Sequence, residues 1–316
     1  MRVAEISKAG PPEVFVVREK PDPALQTDQL AIDVRAIGVN FADIMGRMGL
    51  YPDAPPIPYV PGYEVAGVCE GKRILALTKF NGYATRVIVS REQTFPLPDS
   101  LSFEEGAALP VNYLTAWVAL EEQARIRKGD RVLVEQGAGG VGLAALQIVL
   151  HAGAEFVGIV GSREKADFLR SRGGQAVLRE GPIDGPFDII LDPTGASALA
   201  RDFGLLRAGG RIILFGASEF VTGRSRNLVG TAWRYLKRPK LDPYELPNRN
   251  CGIYGLNMLR YPRETSRAAM EKILAGAEEG WIRPHVGATF PLEKVAEAHA
   301  YIQDRKNIGK VVLTVG

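Results

Sequence analysis

The residues best suited to chemistry fall in one stretch, Val132 to Lys165, which reads VLVEQGAGGVGLAALQIVLHAGAEFVGIVGSREK. Gly137, Gly139 and Gly142 have the G-x-G-x-x-G spacing, with Gly140 and Val141 inside it. An apolar run (Val132, Leu133, Val134) precedes the glycines. Val141, Ala145, Ile148 and Val149 follow at helical spacing, and a second apolar run, Phe156 to Val160, closes the unit. A strand, a glycine turn, a helix and a second strand form the context in which this spacing binds a dinucleotide. Gly137 is expected to take the tight turn, Gly139 to let a pyrophosphate approach the backbone, and Gly142 to let helix and strand pack closely. Free N–H groups at the start of the helix would then face the phosphates.

The end of the second strand selects the cofactor. An NAD site places Asp or Glu about 20 residues past the glycines, on the ribose 2′-OH. Here the chain reads Gly161-Ser162-Arg163-Glu164-Lys165. Ser162, Arg163 and Lys165 offer a hydroxyl and two cations, which suit a 2′-phosphate. Arg179, after the next strand, is a further candidate for that pocket. Glu164 dissents, and Ser162 also reads as an ordinary N-cap of the next helix. Both roles are compatible, and the balance favours NADPH over NADH.

These residues need a frame to hold them. The chain has 316 residues, 46% hydrophobic and 24% charged, which suffices for two domains. The net charge of +3 is too small to argue for nucleic acid. No apolar run has membrane-span length, and MRVAEISKAGPPEV lacks a signal-peptide core. Two cysteines, Cys69 and Cys251, give neither a disulfide framework nor a zinc cluster. A cytoplasmic setting is the expectation.

Residues 1–90 read as short strands at Val14–Arg18, Gln29–Ala36, Tyr63–Cys69, Arg73–Leu77 and Tyr83–Val89, with a stiff proline loop from Pro52 to Pro61. Leu101 onward turns helical. After Lys165 come strand signals at Ala176–Leu178, Phe187–Leu191 and Arg211–Phe215, with a helix at Ala198–Leu206. This alternation predicts an α/β fold with a parallel, doubly wound sheet whose strand ends carry the ligand. Cys251–Leu259 reads as a last buried strand, Arg263–Glu279 as a helix and Lys310–Val315 as a strand. Val221–Asn250 is the least regular part. Its Arg224, Arg226, Arg234, Lys237, Arg238 and Lys240 beside Trp233 and Tyr235 raise a membrane-surface role, though a loop with a short helix is favoured. His151, His285 and His299 are expected at the surface or at helix ends.

Several segments resemble the medium-chain dehydrogenase/reductase superfamily over nearly the whole length: GVNFADIMGRMGLY (38–51), PGYEVAG (61–67), Gly82-Tyr83-Ala84, Leu114-Thr115-Ala116 and the glycine turn. Within it the chain resembles the zinc-free quinone oxidoreductases. Phe215-Gly216-Ala217-Ser218, Arg226-Asn227-Leu228 and Lys306 to Val312 look most like the vesicle amine transport protein 1 (VAT-1) group of that branch. The resemblance implies a GroES-like β-rich catalytic domain (1–116 and 260–316) and a Rossmann domain for NADPH (117–259). It also implies a homodimer. It places Thr115, Phe215, Gly216 and Asn307 near the cofactor and Asn40 at the cofactor–substrate junction. Zinc members carry a Cys near Asn40–Asp43 and Gly-His-Glu where this chain has Gly62-Tyr63-Glu64, so no metal is expected. Lys310 resembles a position near the cofactor, though it also reads as a surface charge.

The activity implied is zinc-independent hydride transfer from NADPH to a quinone, an electron-poor acceptor that needs little acid assistance. The alternative is reduction of a C=C bond conjugated to a ketone or thioester, which requires a proton donor. Tyr51 aligns with a proton-donor Tyr of related enoyl-thioester reductases, and it also reads as a loop aromatic packed on Pro52 and Pro55. Asp43 reads as an acid or as the i,i+4 ion-pair partner of Arg47. A different class, an NADPH-binding membrane-associated adaptor, rests on the basic 224–240 segment alone. Lys165→Glu should weaken NADPH far more than NADH in a fluorescence titration, and equal losses would remove the 2′-phosphate assignment.

Overall fold

The computed structural model describes residues 1–195, 197–221 and 223–316. In chain order its first elements are β1 (Arg2–Ile6), β2 (Phe15–Glu19), β3 (Gln29–Val39), α1 (Phe41–Arg47), β4 (Glu64–Cys69), β5 (Lys72–Leu77), β6 (Arg86–Ser90), β7 (Thr94–Pro96), α2 (Phe103–Ala108) and α3 (Pro110–Trp117). There follow β8 (Arg131–Val134), α4 (Gly140–His151), β9 (Glu155–Val160), α5 (Arg163–Ser171), β10 (Gln175–Leu178), β11 (Phe187–Asp192), α6 (Leu199–Leu205) and β12 (Leu206–Leu214). The remainder is α7 (Leu228–Leu236), α8 (Glu245–Arg249), β13 (Gly252–Gly255), α9 (Arg263–Glu278), β14 (Val286–Pro291), α10 (Val295–Gln303) and β15 (Lys310–Thr314).

The chain packs as two compact units. The first is Met1–Val111 with Gly223–Arg226 and Ala277–Gly316, and the second is Asn112–Thr222 with Asn227–Gly276. These limits differ from the sequence boundaries at 116/117 and 259/260. Residues 112–116 pack with the second unit because Asn112 lies against Gly140 at the start of α4. Residues 260–276 do so through α9, where the Lys272 ammonium lies over the Trp117 ring, 6.0 Å from its centroid.

The first unit is built on a seven-stranded sheet in the order β14-β15-β3-β4-β5-β7, with β6 also paired to β3. The eleven-residue β3 is its spine. Its first half alternates, so Ile32 and Val34 enter the core while Asp33 and Arg35 face water. Its last four residues are all buried, where β15 and β4 flank it. β4 and β5 join through Glu70 and Gly71, at φ 50° and 77°, the two-residue hairpin turn that positive φ permits.

The second unit holds a six-stranded sheet in the order β10-β9-β8-β11-β12-β13, parallel throughout. The order reverses between β8 and β11, which is the switch point where such sheets bind ligands. β11 is buried along its whole length, as expected of a central parallel strand covered on both faces. The α/β class with a Rossmann-type second unit is therefore present.

Three expectations need correction. The last strand of the parallel sheet is not buried: β13 is an edge strand with β12 as its one neighbour, and Tyr254 is 46% exposed. The strand expected at Tyr83–Val89 begins at Arg86, because Tyr83 and Ala84 form a turn whose Ala84 bridges Val3. The stretch Val221–Asn250 contains two helices, α7 and α8, with Leu241 and Leu246 packed on the core of the sheet. Thr222, within that stretch, lies outside the described residues.

Candidate functional site

The glycine turn leaves the carboxyl end of β8. The tight bend falls on Gln136, at φ 57°, rather than on Gly137 as expected. Gly137 is required for a different reason. A Cβ there would stand 2.6 Å from the Gly158 Cα on β9. A Cβ on Gly142 would stand 2.3 Å from the Gly137 carbonyl oxygen, so α4 can start directly over the turn. Gly139 is the N-cap of α4, and an added Cβ would meet only the Gln136 carbonyl, at 3.2 Å. Its side of the turn is therefore open to a phosphate. The first N–H groups of α4, at Gly140, Val141 and Gly142, have no intrahelical acceptor and supply the anion-binding end.

β9 ends at Val160, and Ser162 caps α5 by accepting the Lys165 N–H at 3.3 Å. Arg163 and Glu164 are exposed and Lys165 is half-buried. Arg179 is exposed beside them, since its N–H donates to the Val160 carbonyl at 2.9 Å. The fold thus brings Ser162, Arg163, Lys165 and Arg179 to the adjacent ends of β9 and β10.

Thr115 is buried on α3, one turn from Asn112. An added Cβ on Gly140 would stand 2.4 Å from the Asn112 Nδ2, so α3 abuts the start of α4. Phe215 and Gly216 follow β12. Their turn is tied to β11 by the Phe215 N–H, which donates to the Asp192 carbonyl at 3.1 Å. Gln136 donates to the Ser218 Oγ at 2.6 Å, linking the glycine turn to the segment after β12. Neither Asn112 nor Gln136 stood out in the sequence.

In the first unit, Asn40 opens α1 and is nearly buried. Its Nδ2 donates to the Glu64 Oε1 at 2.9 Å, and its Oδ1 accepts from the Lys310 Nζ at 2.7 Å. Lys310 also pairs directly with Glu64. Glu64 is fully buried and accepts the Val111 N–H at 2.7 Å, capping the first turn of α3. Lys310 is therefore a buried charge at 3% exposure, not a surface one. Its burial is tolerable because three polar groups converge on it and on its partner. Glu64 carried a legible signal, a single charge in an otherwise apolar strand.

Asp43 does not pair with Arg47. Its Oδ2 accepts the Asn40 N–H at 2.8 Å and the Tyr83 hydroxyl at 3.1 Å, and its Oδ1 accepts the Gly62 N–H at 3.0 Å. Arg47 instead donates to Gln303 at 2.6 Å. The Tyr83 hydroxyl lies 3.0 Å from the His299 Nε2. His299 is wholly buried, contrary to the expectation of a surface site, because α10 packs this face of the helix onto the sheet core. Burial, reinforced by the Arg47 charge, holds the imidazole well below its ordinary pKa. Burial raises Asp43 to about 7 from an ordinary 3.8, despite its three donors.

Tyr51 is half-buried after α1, with its ring edge-on to Tyr63 at 6.4 Å. Tyr63 is buried, and its phenol is pushed above its usual range by desolvation and by Asp43. Asn307 donates to the Gly309 carbonyl at 3.1 Å. No group of three or more His, Cys, Asp or Glu among the described residues is placed to hold a metal ion.

A parallel sheet in this order with a glycine turn at its switch point is a dinucleotide-binding fold. Residues 165–313 match the zinc-binding dehydrogenase family. The synaptic vesicle membrane protein VAT-1 homolog of Mus musculus is 35% identical over 93% of this chain and 78% of its own. The quinone oxidoreductase of Rattus norvegicus is 31% identical over 99% of this chain and 97% of its own. The quinone oxidoreductase of Thermus thermophilus, solved also in complex with NADPH, superposes with a TM-score of 0.88 at 30% identity, covering all of both chains. This chain belongs to the medium-chain dehydrogenase/reductase superfamily, near the VAT-1 proteins.

The raised pKa of Asp43 has a defined sign. The folded state holds its proton more tightly than the unfolded chain, so the stabilisation is full below about 4 and is lost as pH rises through about 7. Urea denaturation of the wild type should therefore show falling stability between those limits. Asp43→Asn should flatten that slope, and parallel profiles for the two proteins would show that Asp43 does not titrate in this window.

Proposed function

We propose that this chain is an NADPH-dependent, zinc-independent reductase of quinones. The observation that carries the reading is the glycine turn. It is open at Gly139 and is followed by Ser162, Arg163, Lys165 and Arg179 at the ends of β9 and β10. A pyrophosphate fits against the first N–H groups of α4, and a 2′-phosphate fits the hydroxyl and three cations. The NADPH complex of the Thermus thermophilus relative supports the same choice. NADPH, when bound, supplies a hydride. Residues 117–259 are assigned to its binding, and 1–116 with 260–316 to the catalytic domain.

The remaining roles belong to side chains. Thr115, Phe215 and Gly216 are assigned to the nicotinamide, and Asn307 is assigned to the cofactor by the family resemblance. Asn40 gives both ends of its amide to Glu64 and Lys310, which fixes its orientation. Its second N–H makes only a weak bond, 3.4 Å to the Gly38 carbonyl, and is the donor available to a carbonyl oxygen. Asp43 serves as a positioning residue that caps α1, since both of its oxygens are taken. Tyr63 supports zinc independence: it stands at the position of a histidine ligand in zinc members, and a phenol pushed up by burial is a poor metal donor. These groups provide little acid assistance, which favours a quinone over a conjugated C=C bond. NADPH oxidation under nitrogen with a panel of quinones and enones tests this, with NADH as control. Turnover is expected with quinones, and Tyr51→Phe should leave it within about twofold. Preferential enone turnover that falls at least about tenfold in Tyr51→Phe would instead make Tyr51 the proton donor of an enone reductase.

α7 favours a second reading, an NADPH-binding adaptor at a membrane surface. Val229, Trp233 and Leu236 share one stripe of the helix and are 83%, 59% and 73% exposed. Arg234, Lys237 and Arg238 stand beside them. Apolar side chains among cations suit an anionic lipid interface. No helix among the described residues is long and apolar enough to cross a membrane. Co-sedimentation with phosphatidylserine liposomes that is lost on neutralising Arg234, Lys237 and Arg238 would favour this reading, and no binding would remove it.

A further inference from the structure

α1 carries two ionisable groups one helical turn apart, Asp43 and Arg47, and both end in a buried cluster with Tyr83 and His299. None of the four is more than 1% exposed. Three of them form a hydrogen-bonded line. The Tyr83 hydroxyl lies 3.1 Å from the Asp43 Oδ2 on one side and 3.0 Å from the His299 Nε2 on the other. At the far end of the line the His299 Nδ1 is buried, with no hydrogen-bond partner among the described residues. The charged and titratable groups around Asp43 are Lys310, Tyr59 and Tyr63. Around His299 there is Arg47, with Glu13 beyond it, exposed on the turn Pro12–Val14. The Phe15 ring stands edge-on to the imidazole at 4.7 Å.

Counting hydrogens leaves this line two arrangements. Burial and the nearby Asp43 keep the Tyr83 phenol from ionising, and burial and the Arg47 charge keep the imidazole neutral. An ionised Asp43 only accepts, so the Tyr83 hydroxyl points to its Oδ2. The Tyr83 oxygen then accepts in turn, and His299 must carry its proton on Nε2. A protonated Asp43 reverses the line. Its proton points from Oδ2 to the Tyr83 oxygen, the hydroxyl donates to Nε2, and His299 must carry its proton on Nδ1. One added proton converts the first arrangement into the second. It binds Nδ1, Nε2 gives its own to the Tyr83 oxygen, and the former hydroxyl proton passes to Oδ2. Imidazole and carboxyl both end neutral. The Asn40 N–H, which donates to Oδ2 at 2.8 Å, then faces a neutral and weaker acceptor.

The geometry points to a proton relay from His299 through Tyr83 to Asp43, in which the charge on Asp43 sets how firmly the start of α1 holds Asn40. Tyr83 and His299 are thus positioning residues for Asn40. The link to substrate rests on the reductase reading, and the relay itself does not. The test is nitrogen NMR of the full chain with labelled histidine, titrated from about pH 5 to about pH 9. The chain has three histidines, so His299 is identified by elimination with His151→Gln and His285→Gln. The expected result is exchange from the Nδ1–H tautomer to the Nε2–H tautomer as pH rises, with a midpoint at about 7, where Asp43 titrates, and no imidazolium. Asp43→Asn should abolish the exchange. A single tautomer throughout, an imidazolium at His299, or an exchange that survives Asp43→Asn would overturn the relay. In the proposed reductase, KM for a quinone should fall at least about threefold as pH rises through the same midpoint, and Asp43→Asn should lose that dependence. Exchange of the tautomer with a pH-independent KM would overturn the link to Asn40. Absence of quinone turnover would overturn the reductase reading alone, since the tautomer is read without substrate.

Discussion

The first unit depends on the buried pair of Lys310 and Glu64. Each charge loses its water on folding, and each is tolerated only because the other and Asn40 are in place. Removing one partner of such a pair costs about 3–5 kcal/mol, a large fraction of the net stability of a typical domain. The pair joins β15 to β4, and through Asn40 and Val111 it sets where α1 and α3 begin. Gly38 belongs to the same constraint: an added Cβ would stand 2.4 Å from the Glu64 Oε1 and from the Ala107 carbonyl. One ion pair thus dictates a glycine, a cap and two helix starts.

The second unit depends on close approach rather than on charge. Gly137 on the turn and Gly158 on β9 face each other with no room for a side chain between them. That contact brings the end of β9, with its cluster of cations, beside the start of α4 with its free N–H groups. Backbone N–H groups and exposed cations are thereby gathered at one end of the sheet, and both cost little to hold in place. The two units divide the work. One orders backbone donors by removing side chains, and the other orders polar side chains by burying them.

The fold was readable where local pattern and tertiary role agree. The glycine turn, β9 to β12 and α9 follow from apolar runs and period, because their environment is the sheet itself. The position of the cations after β9 was readable because it depends only on where the strand ends. Lys310 and His299 were not. Their chain neighbours look like those of surface residues, and only partners far away in sequence, Glu64 and Tyr83, make burial tolerable. Asp43 misled for a related reason. Its helical spacing to Arg47 suggested a pair, but capping its own helix and holding the Gly62 N–H satisfied it first. β13 misled because a short apolar strand reads the same at the edge of a sheet as at its centre.

The placement of β15 has a consequence for how the protein is made. β3 and β4 emerge from the ribosome early, yet β3 completes its pairing only with a strand synthesised after the entire parallel-sheet unit. Until then Glu64 has no counter-charge, and the Asn40 Oδ1 lacks its Lys310 donor. The parallel-sheet unit is nearly contiguous and can close during translation, whereas the first unit waits for the last strand. The earliest-made third of the chain, Met1–Val111, is therefore the last to become native, and in the interval the open edge of β3 is left without its partner strand.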